Sequence, residues 1–60
     1  MHVISKETLK LIRKVRDEYP QTYEWAAHKA AWEHMTLGVV FTEYIDYIQE
    51  LMAREDNKND

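Results

Sequence analysis

The sequence predicts an all-α fold, and three observations lead to that reading. Its 60 residues are 45% hydrophobic and 32% charged, too apolar for a disordered chain. They include one glycine and one proline, too few turn formers for a many-stranded sandwich or barrel. Apolar residues recur at helical spacing in three successive stretches, and Pro20 and Gly38 mark the breaks between them. A small three-helix unit is therefore expected, a helical hairpin with a third amphipathic helix packed on it.

The first helix is expected over Lys6 to Glu18. Ser5 stands where a hydroxyl can accept from the amide three residues on, with Ile4 and Leu9 at the positions of a hydrophobic staple. Leu9, Ile12, Val15 and Tyr19 form the apolar stripe and Leu11 widens it. Pro20 disfavours helical geometry at Tyr19 and ends the element.

After a Pro20-Gln21 corner, Thr22 is the expected N-cap of a second helix running from Tyr23 to about Thr36. This alanine-rich stretch contains no Pro, Gly or Val. Gly38 stands where a left-handed C-terminal residue would close the helix. The alternative is fusion of the second and third helices through Gly38, since one glycine costs only about 1 kcal/mol in a helix.

The third helix is the most clearly amphipathic. Val40, Phe41, Tyr44, Ile45, Ile48, Leu51 and Met52 share a broad face opposite Thr42, Glu43, Asp46, Gln49 and Glu50. From Arg54 to Asp60 the chain offers no apolar residue. Residues 1–53 are thus expected as one helical domain and 54–60 as a disordered polar tail.

These limits narrow the function. Without cysteine there is no disulfide framework and no thiolate zinc site. The opening residues lack the apolar core of a signal peptide, and no stretch approaches the roughly 18 apolar residues of a membrane span, so a soluble cytoplasmic protein is expected. At this size the stability of a monomer is expected to be marginal, which leaves very good helix packing or oligomerisation as the available staples.

On a wheel of about 100° per residue the second helix has two apolar sides. Tyr23, Ala26, Ala27, Ala30 and Leu37, with His34 beside them, form a thin side suited to close packing on the other helices. His34 there is expected to be a hydrogen-bonded core histidine. Nearly opposite lie Trp25 and Trp32, flanked by His28 and Met35. A two-layer bundle of this size cannot easily bury both sides. Trp25, His28, Trp32 and Met35 are therefore expected to form a protein interface, in a homodimer, with a foreign partner, or both. The alternative is that the third helix wraps round and both tryptophans are ordinary core.

An enzyme is not expected. The chain lacks a Gly-rich phosphate loop, GxSxG, HExxH and any legible Ser/His/Asp arrangement, and no cofactor is implied. Glu24 and His28, four apart, read as a helical pair rather than a metal site; His34 points about 120° away from His28 round the helix, so the two cannot jointly ligate within one chain.

Charge is divided along the chain. Residues 1–20 carry Lys6, Lys10, Arg13, Lys14 and Arg16 against Glu7, Asp17 and Glu18, a balance of +2, and the remaining forty carry −5, giving net −3. Glu43, Asp46 and Glu50, continued by Glu55, Asp56 and Asp60, form an acidic face that would attract a basic partner, such as the nucleic-acid channel of another protein. The leading expectation is a small regulator or inhibitor that binds another protein. The alternative is a small dimeric DNA-binding regulator. It would use Lys6, Lys10, Arg13 and Lys14 on the first helix, or a weak helix-turn-helix with Gly38-Val39 at its turn. Against that motif, His34 fills a position usually small, and the would-be reading helix is acidic.

Overall fold

The computed structural model describes residues 5–58, which form four helices and no strand: α1 (Lys6–Glu18), α2 (Pro20–Trp32), α3 (Leu37–Glu43) and α4 (Ile45–Lys58). The all-α class holds, but the expected third helix is two. The Ile4–Leu9 staple and Asp60 lie outside the described residues.

Local signals account for α1. The Ser5 hydroxyl accepts from the Thr8 amide at 3.1 Å, and the helix ends before Pro20. Val15 is fully buried, and Leu11 and Ile12 lean on the core. Leu9, expected in that stripe, is 40% exposed. The rest of the expected stripe, Leu11, Ile12, Val15 and Tyr19, faces the core.

The start of α2 departs from the expectation. Pro20 is its first residue, where a fixed φ suits the helix and the missing N–H would have been unpaired anyway. Thr22 is therefore not the N-cap but lies inside the first turn, 2% exposed. Tyr19 precedes the helix with φ of −132° and ψ of 67°, outside the helical region, and provides no side-chain cap. The Glu55 carboxylate of α4 replaces it, accepting from the amides of Gln21 at 3.2 Å and Thr22 at 3.0 Å and from the Thr22 hydroxyl at 2.9 Å. The next amide, Tyr23, donates to the Tyr19 carbonyl. Every donor of the first turn is thereby satisfied, as burial requires.

The other end of α2 also comes earlier than expected, at Trp32. The Met35 amide donates to the Ala30 carbonyl at 2.8 Å and the His34 amide to the Ala31 carbonyl at 3.4 Å, the paired bonds of a Schellman closure. The left-handed residue is His34, with φ of 55°, and not Gly38. His34 is exposed, so the expected core histidine is a turn residue. Thr36 lies outside α2 and caps α3, its hydroxyl accepting from Val39 at 3.2 Å. Glu33 to Thr36 therefore separate α2 from α3, which rules out fusion through Gly38 and removes Gly38-Val39 from any turn.

The α3/α4 joint falls at Tyr44, whose φ of −107° and ψ of 28° leave the helical region for one residue. Hydrogen bonds continue across it, from the Tyr44 amide to Val40 and from the Ile48 amide to Tyr44. Just before it, the Thr42 hydroxyl donates to the Gly38 carbonyl at 2.8 Å, a back-bond associated with helix bending. The polar segment from Arg54, expected to fray, is helical to Lys58. Glu55 within it is 8% exposed because its carboxylate is engaged on α2, while the Tyr19 hydroxyl donates to Asp56 at 2.8 Å.

Val15, Tyr19, Ala26, Ala30, Val40, Phe41 and Ile48 make the core. Ala26 and Ala30, four apart on α2, let neighbouring helices approach closely. α1 packs on α2 and α3, while α4 packs on α2 and α3 from elsewhere. Each fully buried Val, Ile or Phe contributes about 1.5–3 kcal/mol, so a core of this size leaves little reserve and polar contacts such as that of Glu55 matter.

Candidate interaction surface

The outer side of α2 carries the aromatic stripe, and the two tryptophans differ. Trp25 is half-buried because the α3/α4 joint and the first turn of α4 each supply a ring against it. Tyr44 meets it edge-on with centroids 6.0 Å apart, and Tyr47 lies at 4.9 Å with a 58° tilt. Trp32, two turns on, has neither ring stacked on it and is 85% exposed. Met35 packs against the core and His28 is exposed. Of the four residues expected at an interface, His28 and Trp32 are open to solvent, Trp25 is shared with the interior, and Met35 is turned inward by the Schellman closure.

Trp25, His28, Lys29 and Trp32 line a shallow depression on this face. Its polar side chains find partners within the chain. His28 Nε2 stands 3.8 Å from the Glu24 carboxylate, the helical pair expected from their spacing. Lys29 is bonded to Glu33, four residues on, which also accepts from the Tyr44 hydroxyl at 3.2 Å. The Lys29 ammonium lies 5.1 Å from the Tyr44 ring centroid. Hydrogen bonding to Glu33 raises the Lys29 pKa, and the same bond holds Glu33 below its ordinary value. These contacts lock the Lys29 side chain into the floor of the depression.

A second depression lies across Trp25, lined by Gln21, Thr22, Trp25, Leu51, Arg54 and Glu55. Its one buried charge, Glu55, is fully engaged with α2. The Tyr19 hydroxyl at this end has a pKa above its ordinary value, chiefly because it donates to Asp56.

The remaining candidate residues lie elsewhere. Lys6, Lys10, Arg13 and Lys14 are exposed on α1, and Glu43, Asp46 and Glu50 are exposed on α3 and α4, Glu50 pairing with Arg54 at 2.8 Å. Among the described residues, no three histidine or acidic side chains converge so as to hold a metal ion, and no helix is long and apolar enough to cross a membrane. Sequence reasoning places Tyr44 on the buried face but not against Trp25, puts Glu55 on the open acidic face where the structure buries it against α2, and does not single out Tyr47. A helical wheel could have shown Tyr47 beside Leu51 on the flank of the third segment, but nothing local connects Glu55 to Thr22.

Comparison with protein-family models, curated proteins and solved structures found no match.

Proposed function

We propose that the protein works by binding another protein through the outer face of α2, with Trp32 as the anchor. The observation that carries this reading is the 85% exposure of Trp32 on an ordered helix. An indole left in water forgoes the largest apolar burial any side chain offers, and tryptophan is the residue most enriched among interface anchors. Trp25 beside it is held by Tyr44 and Tyr47, so part of the surface is set before a partner arrives. Glu43, Asp46 and Glu50, on other helices, would speed encounter with a basic partner, which suits a small regulator or inhibitor.

The test is photocrosslinking from position 32, with position 49 on the exposed polar side of α4 as control, in native lysate with and without nuclease. The reading expects a discrete protein adduct from position 32, unaffected by nuclease and absent from position 49. Adducts that vanish with nuclease would instead favour phosphate contacts by Lys6, Lys10, Arg13 and Lys14.

A further inference from the structure

We infer that residues 51–58 of α4 are a strap, fastened beside Trp25 by the Glu55 and Asp56 carboxylates and released from α2 as one unit. Its release lengthens the outer face of α2 that is open to solvent. The inference rests on the reading above only in calling that face the binding surface.

The strap does not hold helical form by itself. Ile48 is the last fully buried side chain of α4; Leu51 and Met52 after it are half-buried, and no apolar residue follows Ala53. Glu55 and Asp56 stand in the last turn, at the negative end of the helix dipole, and Asp and Asn are weak helix formers. A helix end of this composition frays unless something outside it holds the residues in place. The structure supplies that hold at two neighbouring carboxylates. Glu55 accepts from the amides of Gln21 and Thr22 and from the Thr22 hydroxyl, and Asp56 accepts from the Tyr19 hydroxyl. Helix and docking are therefore gained and lost together.

The apolar fit of the strap to α2 is loose. Between them remains the depression lined by Gln21, Thr22, Trp25, Leu51, Arg54 and Glu55, about 240 Å³ in volume. Unfilled space forfeits dispersion contacts, so the four polar bonds carry a large share of the docking. Arg54 adds nothing across the gap, because it pairs back along α4 with Glu50 at 2.8 Å.

What the strap covers gives its release a consequence. Trp25 is a wall of this depression and also of the one formed with His28, Lys29 and Trp32. When residues 51–58 leave, Leu51, Arg54 and Glu55 go with them and the two depressions join. The open face then runs from Gln21 to Trp32, about 16 Å along the helix axis, whereas the fastened strap confines it to the Trp32 end. Tyr44 and Tyr47 precede the strap and keep their hold on Trp25, so the rest of the fold does not depend on it. The strap thus competes within the chain for the Trp25 end of the surface.

Native-state hydrogen exchange on the full chain, read amide by amide by NMR, tests this, together with acrylamide quenching in a Trp32→Phe background where Trp25 emits alone. The amides of residues 51–58 should share one opening constant, larger than that of the Val15, Ala26 and Ile48 amides. The Thr22 amide, bonded to Glu55 across 33 positions, should open with them. Glu55→Gln and, independently, Tyr19→Phe should each raise the shared constant about 5-fold and make Trp25 easier to quench, with circular dichroism showing the remaining helices intact. Exchange graded from the chain end with Thr22 out of step would overturn the inference, as would strap amides that open only with the core, or that ignore both variants. The two readings fail separately, because no partner enters this measurement. A strap that never opens leaves Trp32 as the anchor, whereas a strap that opens in a chain that crosslinks nothing from position 32 sinks only the partner reading.

Discussion

The Glu55 side chain accepts hydrogen bonds from both the amide and the hydroxyl of Thr22, at 3.0 and 2.9 Å, across 33 positions of sequence. One carboxylate thus supplies the N-terminal cap that α2 lacks locally and fastens α4 to it. It sits where the positive end of the helix dipole favours an anion.

Removing that carboxylate should be costly for so small a protein. Glu55→Ala leaves the Gln21 and Thr22 amides without their acceptor and is expected to destabilise by about 2 kcal/mol, with Glu55→Gln losing roughly half as much. Urea denaturation followed by circular dichroism measures both. A change within about 0.5 kcal/mol for Glu55→Ala would show that the contact is not formed in solution.

His34 occupies a left-handed conformation with its side chain in solvent, so glycine should suit the position better. His34→Gly is expected to stabilise by about 0.5–1 kcal/mol, the relief of the left-handed cost less the extra freedom of glycine in the unfolded chain. Gly38→Ala is a contrasting control: Gly38 is helical but buried, so any gain in propensity competes with the space its new methyl needs. A thermal melt of His34→Gly below that of the parent would contradict the Schellman assignment.

The pH dependence follows from three shifted groups. Glu33 is held below its ordinary pKa by Lys29, so the contribution of that pair is present at neutral pH and is lost as acid takes the pH down through the depressed value. Tyr19 and Lys29 are raised, by Asp56 and Glu33 respectively, so their contributions are complete below their ordinary values and disappear as alkali takes the pH up through the raised ones. The partly exposed Lys29–Glu33 pair makes the acid effect small. Denaturation midpoints across pH should show a shallower acid limb in Glu33→Gln and a shallower alkaline limb in Tyr19→Phe. Limbs identical to the parent's would show that these bonds do not form.

The two tryptophans should separate in stability. Trp25→Ala removes packing against Tyr44 and Tyr47 and is expected to destabilise by about 2 kcal/mol, whereas Trp32→Ala, already in water, should change stability by less than about 0.5 kcal/mol. Equal losses from the two variants would mean that Trp32 is covered within the chain.

The parts of the fold that were legible in the sequence are those set by neighbours in the chain. The Ser5 cap and Pro20 bound α1 correctly, and Val40, Phe41 and Ile48 were read onto the buried face. The ends of α2 were misread because their signals compete. Thr22 and Thr36 both look like caps, and only the fold decides that the first donates to Glu55 of α4 while the second caps α3. The break at Tyr44 has no Pro or Gly to announce it. Trp25 and Trp32 lie about 20° apart on one stripe, so a wheel cannot tell them apart; what separates them is that Tyr44 and Tyr47 pack on Trp25 while Tyr44 turns its hydroxyl to the Glu33 flank and leaves Trp32 uncovered. Glu55 was read as tail because an acidic residue without apolar neighbours carries no local sign that a distant helix start requires it.

The most direct test of the binding surface is the affinity of a crosslinked partner for three folded forms of the protein, the parent, Trp32→Ala, and the triple Lys10, Arg13 and Lys14 to Gln variant. If Trp32 is the anchor, its truncation should weaken binding by about 30-fold or more, the equivalent of roughly 2 kcal/mol, while the triple variant stays within a few-fold of the parent. Binding that survives Trp32→Ala unchanged but is lost with the three basic residues would contradict the account and point to α1 as the working surface.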